Sequence, residues 1–189
     1  MRSHSTHWRC LRWVALLVGE LAGPACGGPS SDASPNDTAA VGALITWDAA
    51  TKTATIPIVA GLTSSYDGWN FNSYARRETR IVVPVGTKVV RQFYNENVVP
   101  HSAMIVAGSE TAIPPAPTTP AFRGATTHNP GDGLVGGRID QVRFTAAKAG
   151  KYLLVCGIPG YAQSGMWDWF ENLGDREGAE RQHIQQVDS

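Results

Sequence analysis

Two sulfur-bearing side chains and a phenol lie at regular spacing in one short stretch near the end of the chain. Cys156 is followed five residues later by Tyr161, and five residues after that by Met166. A histidine, His101, lies upstream between a proline and a serine. Blue-copper electron-transfer sites use two His and one Cys in a trigonal plane, with a weak axial Met. The spacing therefore predicts a copper site on a loop between two strands, with Tyr161 at the position expected for a second His.

Each candidate ligand offers a different donor. His101 supplies a neutral imidazole nitrogen, Cys156 a thiolate that copper holds deprotonated, and Met166 an axial thioether. The alternatives are a hydrogen-bonding histidine, an inert buried thiol and an ordinary core methionine. Ser102, next to His101, is either a hydrogen-bond partner of the thiolate that tunes the reduction potential, or a simple hydroxyl at the end of a strand.

Tyr161 has three interpretations. As a phenolate it is a hard, anionic donor that favours Cu(II) and lowers the reduction potential. As a neutral phenol it is a poor ligand. The remaining three donors then form a soft set suited to Cu(I). As a packing residue it marks a site that has lost its metal. His128, in a long loop, is either a replacement donor or an exposed loop histidine.

Short β-rich runs separated by Gly and Pro turns must position these donors. They are Val41 to Trp47, Thr51 to Ala60, Thr79 to Pro84, Thr87 to Tyr94, His101 to Ala107, Gln141 to Thr145 and Lys151 to Cys156. Because the body of the chain has no sustained helical period, these runs predict an all-β sandwich of seven or eight strands over residues 41–170. Residues 108–138 form a long Pro/Thr/Gly-rich connection, which is typical of a functional or disordered loop.

The N-terminal residues have the pattern of an export signal. Three arginines precede a short apolar run, Trp13 to Val18, too short to cross a bilayer as a helix. This predicts a signal peptide over residues 1–25. The stretch ending at Cys26 resembles a lipoprotein cleavage box, so Cys26 is a candidate lipid anchor to the membrane. The alternatives are a plain cleaved signal or an unprocessed tail.

Two further segments flank the predicted domain. Residues 26–40 are rich in Ser, Pro and Asp and are predicted to be a flexible tether. This disfavours a disulfide between Cys26 and Cys156, which is the alternative to a metal-bound thiolate. Residues 171–189 are a polar tail, predicted to be a frayed helix or to lack structure.

The charge balance narrows the choice of partners. Lys plus Arg and Asp plus Glu both number 16, so no global charge favours nucleic acid or another polyanion. Arg76, Arg77 and Arg80 form the only local basic cluster. It predicts either a docking site for an acidic redox partner or a solvated loop.

Several motifs together resemble the sulfocyanin-like branch of the cupredoxins, over most of residues 41–170. They are Trp69-Asn-Phe-Asn72, Val83-Pro-Val-Gly86, Val99-Pro-His-Ser102, Ala121-Phe-Arg-Gly-Ala125, Gly150-Lys-Tyr152, Val155-Cys-Gly-Ile-Pro-Gly160 and Gly165-Met-Trp167. The resemblance implies an eight-stranded Greek-key β-sandwich with one mononuclear copper ion. His101, Cys156 and Met166 match the copper ligands of the family, and Tyr161 stands where the family has His.

The resemblance also implies a function. It indicates a carrier of single electrons outside the cytoplasmic membrane, which exchanges electrons with redox partner proteins and turns over no substrate. Together with the export signal and Cys26, this predicts an exported, periplasmic protein tethered to the membrane. One alternative is a periplasmic protein that binds or delivers Cu(I). Another is a degenerate cupredoxin fold that serves as a binding module without metal. Reversible redox cycling distinguishes the first two, and metal content distinguishes both from the third.

Overall fold

A computed structural model of the chain describes residues 45–116, 119–174 and 176–184. In these ranges the chain forms nine strands and a single 3₁₀-type turn, Ser65–Gly68, between the second and third strands. The strands are β1 (Thr46–Asp48), β2 (Thr53–Ala60), β3 (Thr79–Pro84), β4 (Thr87–Asn95), β5 (Met104–Val106), β6 (Ile139–Ala146), β7 (Gly150–Val155), β8 (Trp167–Leu173) and β9 (Glu180–His183).

The strands form two sheets that enclose one core. The first sheet has the order β1-β2-β4-β6 and the second β5-β7-β8-β3-β9. The pairs β2/β4 and β3/β8 are parallel, and the other pairs are antiparallel. Ile58 and Phe93 of the first sheet pack in one buried cluster with Leu154 and Phe170 of the second. The predicted all-β sandwich is confirmed, with nine strands where seven or eight were expected.

Alternation of side chains explains why the central strands were predictable. Along β4, Val89 and Phe93 are buried while Lys88 and Gln92 are exposed. Successive side chains of a strand point to opposite faces of the sheet, so this pattern places the apolar residues in the core. The same strand also turns Arg91 inward.

The end of the chain contradicts the sequence-based prediction. Instead of a frayed helix or an unstructured tail, β8 continues through Glu171 to Leu173, and Glu180–His183 form β9. β9 pairs antiparallel with β3, for example Arg181 with Ile81. β9 lies at the edge of its sheet and consists of polar residues, so it lacks the apolar alternation by which strands are recognised.

The long connection between β5 and β6 is held against the sheet. The described part of residues 108–138 contains none of the nine strands, as predicted. Even so, Ala121 N–H donates to the carbonyl of Ile105 (2.8 Å), and Ile105 N–H donates to the carbonyl of Ala125 (2.9 Å). The Phe122 ring stacks on Phe144 in the core, with centroids 5.7 Å apart. The connection therefore extends the second sheet beside β5.

Several predictions lie outside the described residues. They are the export signal, the tether with Cys26, residues 41–44 of the first predicted strand, and residues 185–189. Within the ranges that the structure describes, no helix has the length and apolar character needed to cross a membrane.

Candidate metal centre

Three neighbouring strand ends bring the predicted ligands together. Cys156 directly follows β7, and Met166 directly precedes β8. His101 lies shortly before β5 and forms a bridge with Leu134. The β5 and β8 strands both run antiparallel to β7, so the start of β5, the end of β7 and the start of β8 meet at one end of the sandwich.

Backbone hydrogen bonds close the loop that carries Cys156, Tyr161 and Met166. Cys156 N–H donates to the carbonyl of Met166 (3.2 Å), which extends the β7/β8 ladder by one residue. Met166 N–H donates to the carbonyl of Tyr161 (3.1 Å), and Tyr161 N–H donates to the carbonyl of Ile158 (3.2 Å). The backbone thus defines the positions of all three side chains in the loop.

His101 is fully buried, and its imidazole is available to a metal. Within the described part of the chain, neither Nδ1 nor Nε2 has a hydrogen-bond partner. Its backbone is fixed instead: His101 N–H donates to the carbonyl of Leu134 (3.1 Å), and Leu134 N–H donates back (2.7 Å). Burial lowers the pKa of His101 to about 4, so the ring is neutral at pH 7. A buried, unpartnered nitrogen is costly, and a metal bond would satisfy it.

The approach of the long connection to His101 requires a glycine. Gly133 has φ +74°, and a Cβ built on it would lie 3.1 Å from the backbone N and C of His101 and 2.7 Å from Cδ1 of Ile158. Asn95, at the end of β4, donates from Nδ2 to the carbonyls of Val99 (2.8 Å) and Leu134 (2.7 Å). The segment of the connection around Leu134 is therefore held by His101 on one side and by Asn95 on the other.

Cys156 is a buried free thiol surrounded by hydrogen-bond donors. Ser102 N–H points to its sulfur, with an N···S distance of 3.5 Å. Burial raises the pKa of Cys156, while hydrogen bonds from the Ile158 and Ser102 backbones act in the opposite direction. A bound metal ion removes the proton outright, and the two N–H groups then stabilise the negative sulfur.

The Ser102 hydroxyl joins three parts of the site. It donates to the carbonyl of Pro130 (2.7 Å) and accepts from Gly157 N–H (2.8 Å). Its oxygen lies 3.7 Å from the sulfur of Cys156. The predicted contact between Ser102 and the thiol is thus present, and the backbone amide is the main donor. The hydroxyl links the segments of Pro130 and Gly157.

Tyr161 lies between His101 and a tryptophan. Its ring stacks on that of Trp69, with centroids 4.6 Å apart and an interplanar angle of 15°. The His101 ring meets Tyr161 edge-on at 5.6 Å. Tyr161 and Trp69 are both half-buried, so the pair borders the site on the side facing solvent. The sequence supplied no reason to place Trp69 here, since the two residues are distant in the chain.

His128 does not belong to the candidate metal site. His128 is exposed, and its backbone N–H donates to Oδ2 of Asp140 (2.7 Å). This matches the exposed loop histidine of the two interpretations. Across the described ranges, no group of three or more His, Cys, Asp or Glu side chains could hold a metal ion. A metal here would therefore depend on Met166 and Tyr161 as well as on His101 and Cys156.

Arg76 of the predicted basic cluster borders the ligand loop, whereas Arg80 lies in β3 near Glu171. Arg76 N–H donates to the carbonyl of Gly165 (2.9 Å), and a Cβ on Gly165 would lie 2.7 Å from Nε of Arg76. The Arg76 guanidinium also lies over the Tyr66 ring, 5.3 Å from its centroid. Arg77 pairs with Glu110, whereas Arg76 is exposed and forms no ion pair among the described residues.

Two packed sheets whose adjacent strand ends bring together one imidazole and two sulfur donors have the arrangement of a cupredoxin. Comparison with known families identifies the branch. The profile described as "Sulfocyanin (SoxE) domain" matches residues 41–171, and the chain belongs to this family. The resemblance inferred from the sequence is thus confirmed. Homologues in the cupredoxin family bind one copper ion and are electron carriers.

Individual relatives match the same region. A sulfocyanin from Sulfolobus acidocaldarius is 32% identical over 131 residues, and the match spans 64% of this chain and 64% of that protein's length. Among solved structures, the chain is similar to auracyanin A, a "blue" copper protein from Chloroflexus aurantiacus (22% identity, 64% of this chain and 99% of that one, TM-score 0.45). It is also similar to rusticyanin from Thiobacillus ferrooxidans (23% identity, 75% and 95%, TM-score 0.47).

The donors present fit copper. A buried neutral imidazole without a partner, a buried thiol and a buried thioether form a soft set. Thiolate and thioether ligands select Cu(I), while imidazole suits either oxidation state.

Proposed function

We propose that this chain is a carrier of single electrons outside the cytoplasmic membrane, with one copper ion held by His101, Cys156 and Met166 and with Tyr161 as the fourth donor. The observation that carries the proposal is the fully buried His101 imidazole with neither nitrogen partnered among the described residues, next to a residue whose amide points at the Cys156 sulfur. When bound, copper alternates between Cu(I) and Cu(II) and so stores one electron.

The protein's task is to keep the donors in place in both oxidation states. The ligand loop is closed by its own backbone, and His101 is paired with Leu134 on both its N–H and its carbonyl. The Ser102 hydroxyl links the two ligand-bearing segments through Gly157 and Pro130. Such a preformed site limits rearrangement on electron transfer, which supports a carrier role.

Electron exchange requires a surface close to the copper centre. Val98, two residues before Pro100, is 91% exposed, and Val135, next to Leu134, is 56% exposed. The two valines are neighbours, since a Cβ on Gly136, next to Val135, would lie 3.4 Å from Cα of Val98. A contiguous exposed apolar patch marks a site of contact with other proteins. We propose that a redox partner docks on this surface beside His101. Arg76, which forms no ion pair among the described residues, lies beside the ligand loop and favours a partner with acidic groups at the contact.

A second function is favoured by one observation. The site contains a single imidazole beside two sulfur donors, and a soft donor set of this kind suits Cu(I). A neutral Tyr161 phenol would leave those three donors alone, and the chain would then bind or deliver Cu(I) outside the cytoplasm without cycling.

Copper titration of the purified protein tests the proposal. We expect one copper per chain, visible absorption from the thiolate, a paramagnetic Cu(II) signal and reversible reduction at a steady potential. Cys156→Ser should abolish the bound ion and the colour, whereas Ser109→Ala, on an exposed loop, should change neither. Copper that binds only as Cu(I) would select the delivery function. Unchanged copper stoichiometry in Cys156→Ser would refute the site.

We further propose that the chain is exported and anchored through Cys26. The supporting pattern is the basic start, the apolar run and the polar tether that follows Cys26. Cys26→Ser should release the protein from membranes and leave copper binding intact. A wild-type protein that fractionates entirely as soluble would refute the lipid anchor.

A further inference from the structure

A charged side chain is sealed in the core of the sandwich. Arg91 occupies an inward position of β4, between Val89 and Phe93 on the same face, and is 2% exposed. Its Nη2 donates to the carbonyl of Ala103 at 2.6 Å. Within the described ranges, its Nε and Nη1 have no hydrogen-bond partner.

The protein tolerates a cost at this position. Burying a charge without full pairing is strongly unfavourable, and an apolar residue of similar volume is often as stable or more so. Burial lowers the pKa of Arg91 to about 9, and the nearby Asp140 carboxylate acts in the opposite direction. Arg91 is thus a cation at neutral pH. Asp140 is half-buried and already accepts from His128 N–H, so it offsets the charge only in part.

Arg91 contacts the segment that carries His101. Its partner Ala103 is the second residue after His101, and Ser102 between them donates to the Cys156 sulfur. Consecutive Cα atoms are about 3.8 Å apart, which puts the guanidinium within roughly 12 Å of the His101 backbone. Packing in the core keeps water away from this path, because Ala103 and Cys156 are fully buried.

We propose that Arg91 is a fixed cation that favours the reduced form of the copper centre. This inference rests on the proposed function. On reduction, one electron passes from a single-electron donor to Cu(II), the centre loses one unit of positive charge, and no proton moves because Arg91 stays protonated. With the His101 backbone standing for the position of the centre, a unit charge about 12 Å away at an effective dielectric constant of about 20 changes the ratio of reduced to oxidised centre about tenfold.

Redox titration of the copper-loaded protein tests this. Arg91→Met removes the charge with little change in volume, and we expect a tenfold shift of the ratio toward the oxidised form. For a one-electron couple, this is a reduction potential about 59 mV lower. Because the charge is buried, the shift should persist in high salt. Lys88→Met is the matched control, because Lys88 lies on the same strand and faces solvent. This variant loses the same charge, and we expect its reduction potential to be unchanged.

Two further variants complete the test. Arg91→Lys keeps the cation and should retain most of the wild-type potential, while Asp140→Asn removes the opposing charge and should raise it. If Arg91→Met does not fold, Arg91→Gln decides, because it removes the charge and keeps an N–H donor for the Ala103 carbonyl. An unchanged potential with an unchanged spectrum in whichever of these two variants folds overturns the inference alone. A wild-type protein that binds no copper overturns the proposed function together with it.

Discussion

Ser102→Ala tests whether the Ser102 hydroxyl stabilises the protein by linking the segments of Pro130 and Gly157. Removing it leaves the buried Gly157 N–H without its acceptor and the carbonyl of Pro130 without its donor. An unsatisfied buried group costs about 1–3 kcal/mol, and a lost neutral hydrogen bond about 0.5–1.5 kcal/mol. We therefore expect the free energy of unfolding of the metal-free protein to fall by about 2 kcal/mol, a large share of the roughly 5–15 kcal/mol typical of a domain.

Urea unfolding followed by tryptophan fluorescence measures this loss. The control is Ser109→Ala. The Ser109 hydroxyl is exposed and lies 3.1 Å from Thr111 Oγ1, so its removal should change stability by less than about 0.5 kcal/mol. The copper-loaded Ser102→Ala protein should keep its thiolate absorption, because the Ser102 backbone amide, which points at Cys156, remains. If Ser102→Ala is no less stable than Ser109→Ala, the two hydrogen bonds of the Ser102 hydroxyl do not contribute to stability and the prediction is wrong.

Three other outcomes are expected. Tyr161→His should complete the two-imidazole donor set, turn the copper protein intensely blue and raise its potential; copper binding without blue absorption would place residue 161 away from the metal. In the metal-free folded protein, the pKa of His101 is about 4, below its ordinary value of 6.5. Between pH 4 and pH 6.5 the unfolded state therefore binds more protons than the folded state. Stability should therefore fall by roughly 3 kcal/mol as the pH drops through that window, and His101→Gln should abolish this dependence, as pH-dependent urea unfolding can check. Arg76→Gln should slow reduction of Cu(II) by an anionic reagent at low salt and spare reduction by a cationic one; equal effects on both would exclude steering by Arg76.

The donor loop was predictable because its information is local. Cys156, Tyr161 and Met166 are spaced to fit one loop between two strands, and the structure places them at the meeting ends of β7 and β8. Strands such as β4 were predictable for a similar reason, since alternation within nine residues reveals the buried face.

Long-range contacts were beyond such reasoning. The stack of Trp69 on Tyr161 joins residues far apart in the chain, and neither residue type predicts the other. Arg91 occupies a position that alternation marks as buried, but its charge argues for exposure. β9 was missed because an edge strand of polar residues looks like a tail until its pairing with β3 is known.

The geometry of the loop accommodates a tyrosine at position 161, where the resemblance to the family predicts a histidine. Tyr161 holds the loop through its backbone, which accepts from Met166 N–H and donates to the carbonyl of Ile158. Neither bond depends on the side chain. The ring itself is accommodated between Trp69 and His101 at the half-buried edge of the core cluster. Under the proposed function, a substitution at this position would therefore change the fourth donor while leaving in place the backbone that carries Cys156, Met166 and His101.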